Sequence, residues 1–319
     1  MQGFGRYFEK NFIKESRKSG VQAMNFRTDL AVERREYIKT KTIDGVVSTY
    51  EHTDGVKVTR IEILDENGER LLEKPQGKYI TLEIPPFTGY TRLSGSAVNV
   101  LSKELKKLLP KYGTVLVAGL GNDKITPDAL GPKCIDYILA SRHIDTELAG
   151  KIGLEGLRSV AAIVPGVLGK TGIETSEIIE GTVRQIQPSA VIAVDSLASR
   201  RLERLGATVQ LSDSGISPGS GIGNRRSAID KNSLGVPVIA IGVPTVVDAA
   251  TMAMDILEDD GGLSEQTKKK IFSSEQGKMM VTPKEIDLVI ERAAKFIAMG
   301  INLALQPQLE AEEILEIVG

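Results

Sequence analysis

The 319-residue sequence predicts an α/β protein built on an open, mostly parallel sheet. Three observations carry that expectation. Four short apolar runs, TVLVAG (114–119), SVAAIVPG (159–166), AVIAVDS (190–196) and PVIAIGVPT (237–245), read as strands buried on both faces. Helix-like stretches lie between them, as crossover connections require. Ahead of them, residues 36–90 carry half-alternating patterns with turn signals, which adds a β-rich region to the core.

The elements follow in chain order. The opening MQGFGRYFEKNFIKESRKSG has no apolar run of signal-peptide length, and no stretch of about 18 apolar residues occurs anywhere. A cytoplasmic protein that neither enters nor crosses a membrane is expected. Tyr7, Phe8, Phe12 and Ile13 allow a short amphipathic helix, or a frayed tail. VVSTYEHT and KVTRIEIL form a hairpin around Thr53-Asp54-Gly55, because Gly55 tolerates positive φ. Asp65-Glu66-Asn67-Gly68 is a second turn signal, ahead of the strand KYITLEIPPF. Val98, Leu101, Leu105, Leu108 and Leu109 lie at helical spacing, and Pro110 ends that helix. Helices are predicted between the apolar runs at Pro132 to Ser141, Glu174 to Ile186 and Leu197 to Leu205. Two more close the chain, through PKEIDLVIERAAKFIAMGINLAL and LEAEEILEIV.

Composition narrows the chemistry. With 40 Lys+Arg against 42 Asp+Glu, the formal charge is -2, and general nucleic-acid binding lacks the basic excess it needs. The single cysteine, Cys134, excludes an intramolecular disulfide and a zinc-thiolate cage. There are two histidines, His52 and His143, so a triad enzyme must use one of them and a His-rich metal site is excluded. Both read as surface residues. Acid-base chemistry therefore falls to carboxylates.

In open parallel sheets, ligands bind beyond the carboxyl ends of the strands. Two acids stand there. Asp128 lies in GLGNDKITPDALGPKC after the first apolar run, and Asp195 ends the third. Each has a plain structural alternative as a helix cap, Asp128 ahead of Pro132 and Asp195 ahead of Leu197. Two carboxylates sharing one site titrate apart, which supplies an acid and a base together. Such a pair activates water against an amide and protonates the leaving nitrogen; the same acids could instead hold a divalent cation.

The glycine-rich loops match no nucleotide fingerprint. Gly119 and Gly121 require a third glycine where Lys124 stands, and VPGVLGKTGIETSE has Val164 where the phosphate loop needs glycine. DSGISPGSGIGNRR (213–226) offers a flexible loop with Arg225 and Arg226.

Together RTDLAVE (27–33), GLGN…TPDALGP (119–132), VPGVLGKTGIET (164–175), VDSLASR (194–200) and ISPGSGIGNRR (216–226) resemble the germination proteases of spore-forming bacteria. That resemblance spans nearly the whole chain. It implies an endopeptidase that starts the degradation of small acid-soluble spore proteins, made as a zymogen that removes its own amino-terminal segment. It also implies a homotetramer in the spore-core cytoplasm. The implied core is phosphorylase/hydrolase-like, as in hydrogenase maturation proteases, with the family's two aspartates falling on Asp128 and Asp195. Those maturation proteases add a histidine to their acids, and neither His52 nor His143 fits that role. Thr28 to Glu33 is similar to the family's substrate site, roughly Thr-Glu-Phe/Ile-Ala-Ser-Glu cut after the first acid. Cleavage is therefore expected between Asp29 and Leu30, leaving residues 1–29 as propeptide and 30–319 as one peptidase domain. Arg225 and Arg226 are candidates for binding the acid-flanked substrate. No metal or other cofactor is assigned. The rival readings are a metal-assisted peptidase using the same acids, and a non-enzymatic ligand-binding α/β module.

Overall fold

The computed structural model describes residues 26–89, 95–144, 147, 150, 155–218, 227–258 and 264–318. The amphipathic positions 7–13 lie outside them. The strands are β1 (Val46–Thr53), β2 (Val56–Ile63), β3 (Gly77–Glu83), β4 (Val115–Gly119), β5 (Val160–Ile163), β6 (Ala190–Ser199), β7 (Thr208–Ser212), β8 (Val238–Asp248) and β9 (Met280–Val281). They form a single sheet in the order β1-β2-β3-β7-β8-β6-β4-β5, with β9 on β8.

The α/β class and the open sheet are as the sequence predicts. The four apolar runs became β4, β5, β6 and β8, which pair in parallel. The β-rich region extends the same sheet, and its strands join antiparallel through β3–β7 and β7–β8. At the expected hairpin, Thr53 pairs with Val56, and Asp54 (φ 52°) and Gly55 (φ 80°) both take positive φ. That backbone twist matches the right-handed twist of the two strands.

Three expectations need correction. Asp65 opens a helix, Glu66–Leu72, instead of a turn: its carboxylate caps the Gly68 amide at 2.9 Å. Gly68 must lack a side chain there, since a Cβ would come within 2.5 Å of the Gly45 carbonyl. The expected helix from Leu197 to Leu205 is also absent. β6 instead continues to Ser199 because β8 runs on to Asp248 and supplies a partner, with a register shift between Leu197 and Ala198. Only a 3-10 turn, Leu202–Arg204, follows. Finally, the helix expected at Pro132 to Ser141 starts earlier and is shorter, spanning Leu130–Ile135.

The faces of the sheet are covered differently. One side packs Val117, Ile192, Val194, Val209 and Ile241 against the helices Gly95–Leu108 and Ile286–Leu305. On the other side, Leu116, Ala118, Val191 and Ala193 meet Ile179 and Val183 of the helix Thr175–Ile186. Beside this lies a third cluster, in which Leu30, Ala31 and Val32 bury themselves with Ile61, Ile63, Leu72, Tyr79 and Leu197. Each such fully buried side chain contributes about 1.5–3 kcal/mol, so the amino-terminal stretch from Leu30 belongs to the core.

Candidate functional site

Connections leave β4 toward β5 and leave β6 toward β7, in opposite directions across the sheet. A crevice opens where that happens, and ligands of open α/β sheets bind in it. β4 ends in register with Val194, so Asp195 is the first β6 residue past the end of its neighbour. The chain then turns while staying on β6: the Leu120 amide donates to the Val194 carbonyl at 2.8 Å.

The glycines serve this turn sterically. A Cβ on Gly121 (φ 109°) would lie 2.0 Å from the Asp128 carbonyl. One on Gly131 would meet both the Leu120 carbonyl (2.3 Å) and the Val194 carbonyl (2.4 Å). Bare backbone therefore lets the 3-10 turn Thr126–Asp128 rest on the ends of β6 and β8. Two bonds fix Asp128. The Asn122 amide donates to its Oδ2 at 2.9 Å, and the Thr245 hydroxyl donates to the neighbouring Pro127 carbonyl at 2.7 Å.

Neither acid is a helix cap. The cap residue of Leu130–Ile135 is Ala129, without a side-chain bond, and Asp195 sits inside a strand. Asp195 is buried and accepts the Ser196 amide at 2.8 Å through Oδ1. A carboxylate is costly at such a position unless it is hydrogen-bonded.

Phe26 to Glu33 lies across the ends of these strands. Arg27 pairs with Asp248 of β8 at 3.1 Å. The Asp29 amide donates to the Ala198 carbonyl, and the Ala198 amide donates to Asp29 Oδ2, both at 2.8 Å. Gln210 of β7 straddles Leu30: its Nε2 donates to the Asp29 carbonyl at 3.0 Å, and its Oε1 accepts the Ala31 amide at 2.8 Å. Glu33 is 2% exposed. It accepts the Arg200 amide (2.6 Å), the Arg201 amide (3.0 Å), the Arg204 guanidinium (3.4 Å) and the Thr28 hydroxyl. The Arg200 guanidinium stacks 4.7 Å from the Phe26 ring centroid. Lys74 lies near Asp29. Burial pulls its amine below the usual lysine value, and the Asp29 carboxylate is the largest charge opposing that shift.

The structure thus brings Asp29 and Leu30 onto the strand that carries Asp195, with Asp128 at the neighbouring strand end. Arg225 and Arg226 lie outside the described residues. Basic groups do meet the segment, but they are the guanidinium groups of Arg200, on Phe26, and Arg204, on Glu33, in VDSLASRRLER. Their signal was the cluster of arginines that begins five residues after Asp195. Gln210 had no sequence signal, because a lone glutamine in a five-residue strand resembles any surface polar residue. His52 and His143 are exposed, as expected. Burial raises the Cys134 thiol far above its ordinary value and keeps it protonated. The loops after β4 and β5 are tied by Lys170 and Asp123 at 2.8 Å. Among the described residues no three His, Cys, Asp or Glu side chains converge to hold a metal ion, and no helix is long and apolar enough to cross a membrane.

Comparison with known proteins identifies the family of the chain. A family model described as germination protease matches residues 22–259. The germination protease of Caldanaerobacter subterraneus subsp. tengcongensis is 47% identical over 323 residues, covering 93% of this chain and 99% of the relative. That of Clostridium tetani is 44% identical over 319 residues, covering 91% and 98%. The Priestia megaterium protein is 38% identical over 353 residues, covering 90% and 95%. Among solved structures, the [NiFe] hydrogenase maturation protease HycI from Thermococcus kodakarensis matches 62% of this chain and 98% of its own, at 16% identity and a TM-score of 0.35.

Proposed function

The chain belongs to the germination protease family and is a peptidase, and on that premise we propose that it is made as a zymogen that cuts itself between Asp29 and Leu30, using Asp128 and Asp195 as its acid-base pair. The observation that carries this reading is the docking of Thr28 to Glu33 along the end of β6, with Asp29 bonded in both directions to Ala198, three residues beyond Asp195.

The chemistry follows from two carboxylates at one crevice. In this scheme one carboxylate acts in its ionised form and takes a proton from water, and the other acts in its protonated form as the acid. The activated water adds to the Asp29 carbonyl carbon, and the protonated acid gives its proton to the Leu30 nitrogen as the bond breaks. No cofactor enters this scheme. Selection of an acid before the cut is supported by the Ala198 amide on Asp29 Oδ2. A second acid four residues after the cut is supported by the amide and guanidinium donors around Glu33. The family's substrate site has acids at these same two places, so small acid-soluble spore proteins are the proposed substrates in trans. The same resemblance supports, as part of this reading, a homotetramer in the spore core. In the uncut chain the segment fills the groove, which accounts for latency.

The test is intact-mass measurement of the purified full-length protein over time at mildly acidic pH. Wild type is expected to lose its first 29 residues. Asp128→Asn and Asp195→Asn are expected to stay folded and to process at least about 100-fold more slowly, the usual scale of general acid-base catalysis. A chelator is expected to leave the wild-type rate unchanged. Wild-type processing rates in both variants would refute the pair.

A further inference from the structure

We propose that Gln210 stabilises the oxyanion formed on Asp29 during self-cleavage, acting as a catalytic residue on β7, across the sheet from the two acids. The inference rests on the Asp29–Leu30 cleavage proposed above and adds a third functional group to it.

The geometry is specific to that one bond. Gln210 Nε2 donates to the carbonyl oxygen of Asp29, whose carbon water must attack, and Oε1 accepts the amide of Ala31 on the other side of Leu30. A single planar amide thus bridges the peptide groups on either side of Leu30, holding the carbonyl of the scissile bond and the first amide of the helix Ala31–Tyr37. Gln210 is 7% exposed, so its donor works where water competes little. Its backbone is held on both sides, opposite Thr81 of β3 and Gly242 of β8.

The register brings Gln210 to the acids. Gly242 lies opposite Gln210 on one side and opposite Asp195 on the other, so the three residues form one row across β7, β8 and β6. At a strand spacing of about 4.8 Å, the Gln210 and Asp195 backbones stand roughly 10 Å apart. Side chains directly opposite each other share a face, and here the middle one is missing. A Cβ on Gly242 would lie 2.6 Å from Leu197 Cγ. Leu197 takes that space and clusters with Leu30, the residue after the cut. The row therefore offers a carboxylate at one end, an amide donor at the other and an apolar seat between.

In the reaction, the carbonyl π pair of Asp29 moves onto oxygen as water's oxygen bonds to the carbon. Gln210 Nε2–H stabilises the charge on that oxygen. The water proton goes to one aspartate, the other protonates Leu30 nitrogen, and the C–N bond breaks as the carbonyl re-forms. The products are the Asp29 α-carboxylic acid and the Leu30 amine, which exchange a proton to end as carboxylate and ammonium. A preorganised donor at a developing oxyanion is worth about 10²–10³ in rate.

The test measures first-order processing of the full-length chain by intact mass from pH 4 to 8. Gln210→Leu is expected to lower the rate at least about 100-fold while the melting temperature shows a folded protein. Gln210→Glu separates a donor from a mere spacer. Its carboxylate keeps the acceptor for Ala31 and loses the donor, whereas its protonated form regains an O–H donor. The ratio of the Gln210→Glu rate to wild type is therefore expected to rise as pH falls. Taking the ratio cancels titrations common to both proteins, those of Asp29, Glu33, Lys74, Asp128 and Asp195. A Gln210→Leu loss below about tenfold, or a Gln210→Glu ratio flat with pH, would overturn the proposal. If wild type is not cut between Asp29 and Leu30, it is the underlying cleavage that fails, and the wild-type mass alone reports this.

Discussion

The parallel and antiparallel halves of the sheet expose polar chemistry in different places. β4 is buried at every position, and β6 stays apolar from Ala190 to Val194. Helices cover both faces there, so a polar side chain has nowhere to find partners until the strand passes its neighbour's end. Asp195 appears at that point, with Asp128 in the loop beside it. β7 is equally buried yet alternates Thr208, Gln210 and Ser212 with Val209 and Leu211. Its polar face is tolerated in mid-strand because the Asp29 carbonyl and the first amide of the helix Ala31–Tyr37 satisfy Gln210. A doubly covered parallel sheet thus confines polar side chains to its ends, while an antiparallel strand can present one from its middle.

Substitutions on each half can break this contrast. The largest effect is expected from Gly131→Ala on the parallel side. The new methyl would lie 2.3–2.4 Å from backbone atoms of Leu120 and Val194, none of which is the end of a flexible side chain. A loss of about 3 kcal/mol is expected in denaturant unfolding, together with slowed processing because the turn holding Asp128 must move. Wild-type stability would mean the crevice is not tightly packed.

On the antiparallel side, Glu104 of the helix Gly95–Leu108 pairs with Arg60 of β2 at 2.8 Å and with Lys107 at 2.6 Å, far from the acids. Burial pushes the Glu104 carboxyl up, but the bonds from Arg60 and Lys107 outweigh it and hold the group below its ordinary value. A depressed carboxyl contributes stability above the unfolded pKa of about 4.3 and loses it as pH falls through the folded value. Glu104→Gln is therefore expected to cost about 2 kcal/mol at pH 7. The gap to wild type should close below roughly pH 4, with processing unchanged. A gap that stayed constant with pH would remove the ion pair as its cause.

The smallest effect is expected from Gly181→Ala, in the middle of the helix Thr175–Ile186. Nothing lies within 4 Å of the added methyl. Thermal unfolding should show a gain of about 0.5–1 kcal/mol, from restricting the unfolded chain. A loss would show that this helix needs the glycine for a contact.

Much of this was legible in residue order. The four apolar runs and the Asp54-Gly55 hairpin declare themselves because burial and turn chemistry are local requirements. Asp128 and Asp195 stood out because acids after buried strands are costly without a purpose. The turn at Asp65 was misread because an Asn-Gly pair signals a hairpin as strongly as an Asp signals a cap, and only the neighbouring Gly45 decides. The helix expected after Leu197 failed because its residues pair with a strand more than 40 positions away. Gln210 was invisible for the same reason.

By itself, the sequence determined the α/β class, the near absence of thiol and imidazole, and the two acids at strand ends. Those follow from composition and short-range pattern. Only the tertiary structure decided that Thr28 to Glu33 lies along β6, that Arg200, Arg201 and Arg204 receive Glu33, and that Gln210 faces the Asp29 carbonyl. Such pairings join residues about 170–180 positions apart, and sheet register over that distance is set by packing, which no local pattern encodes.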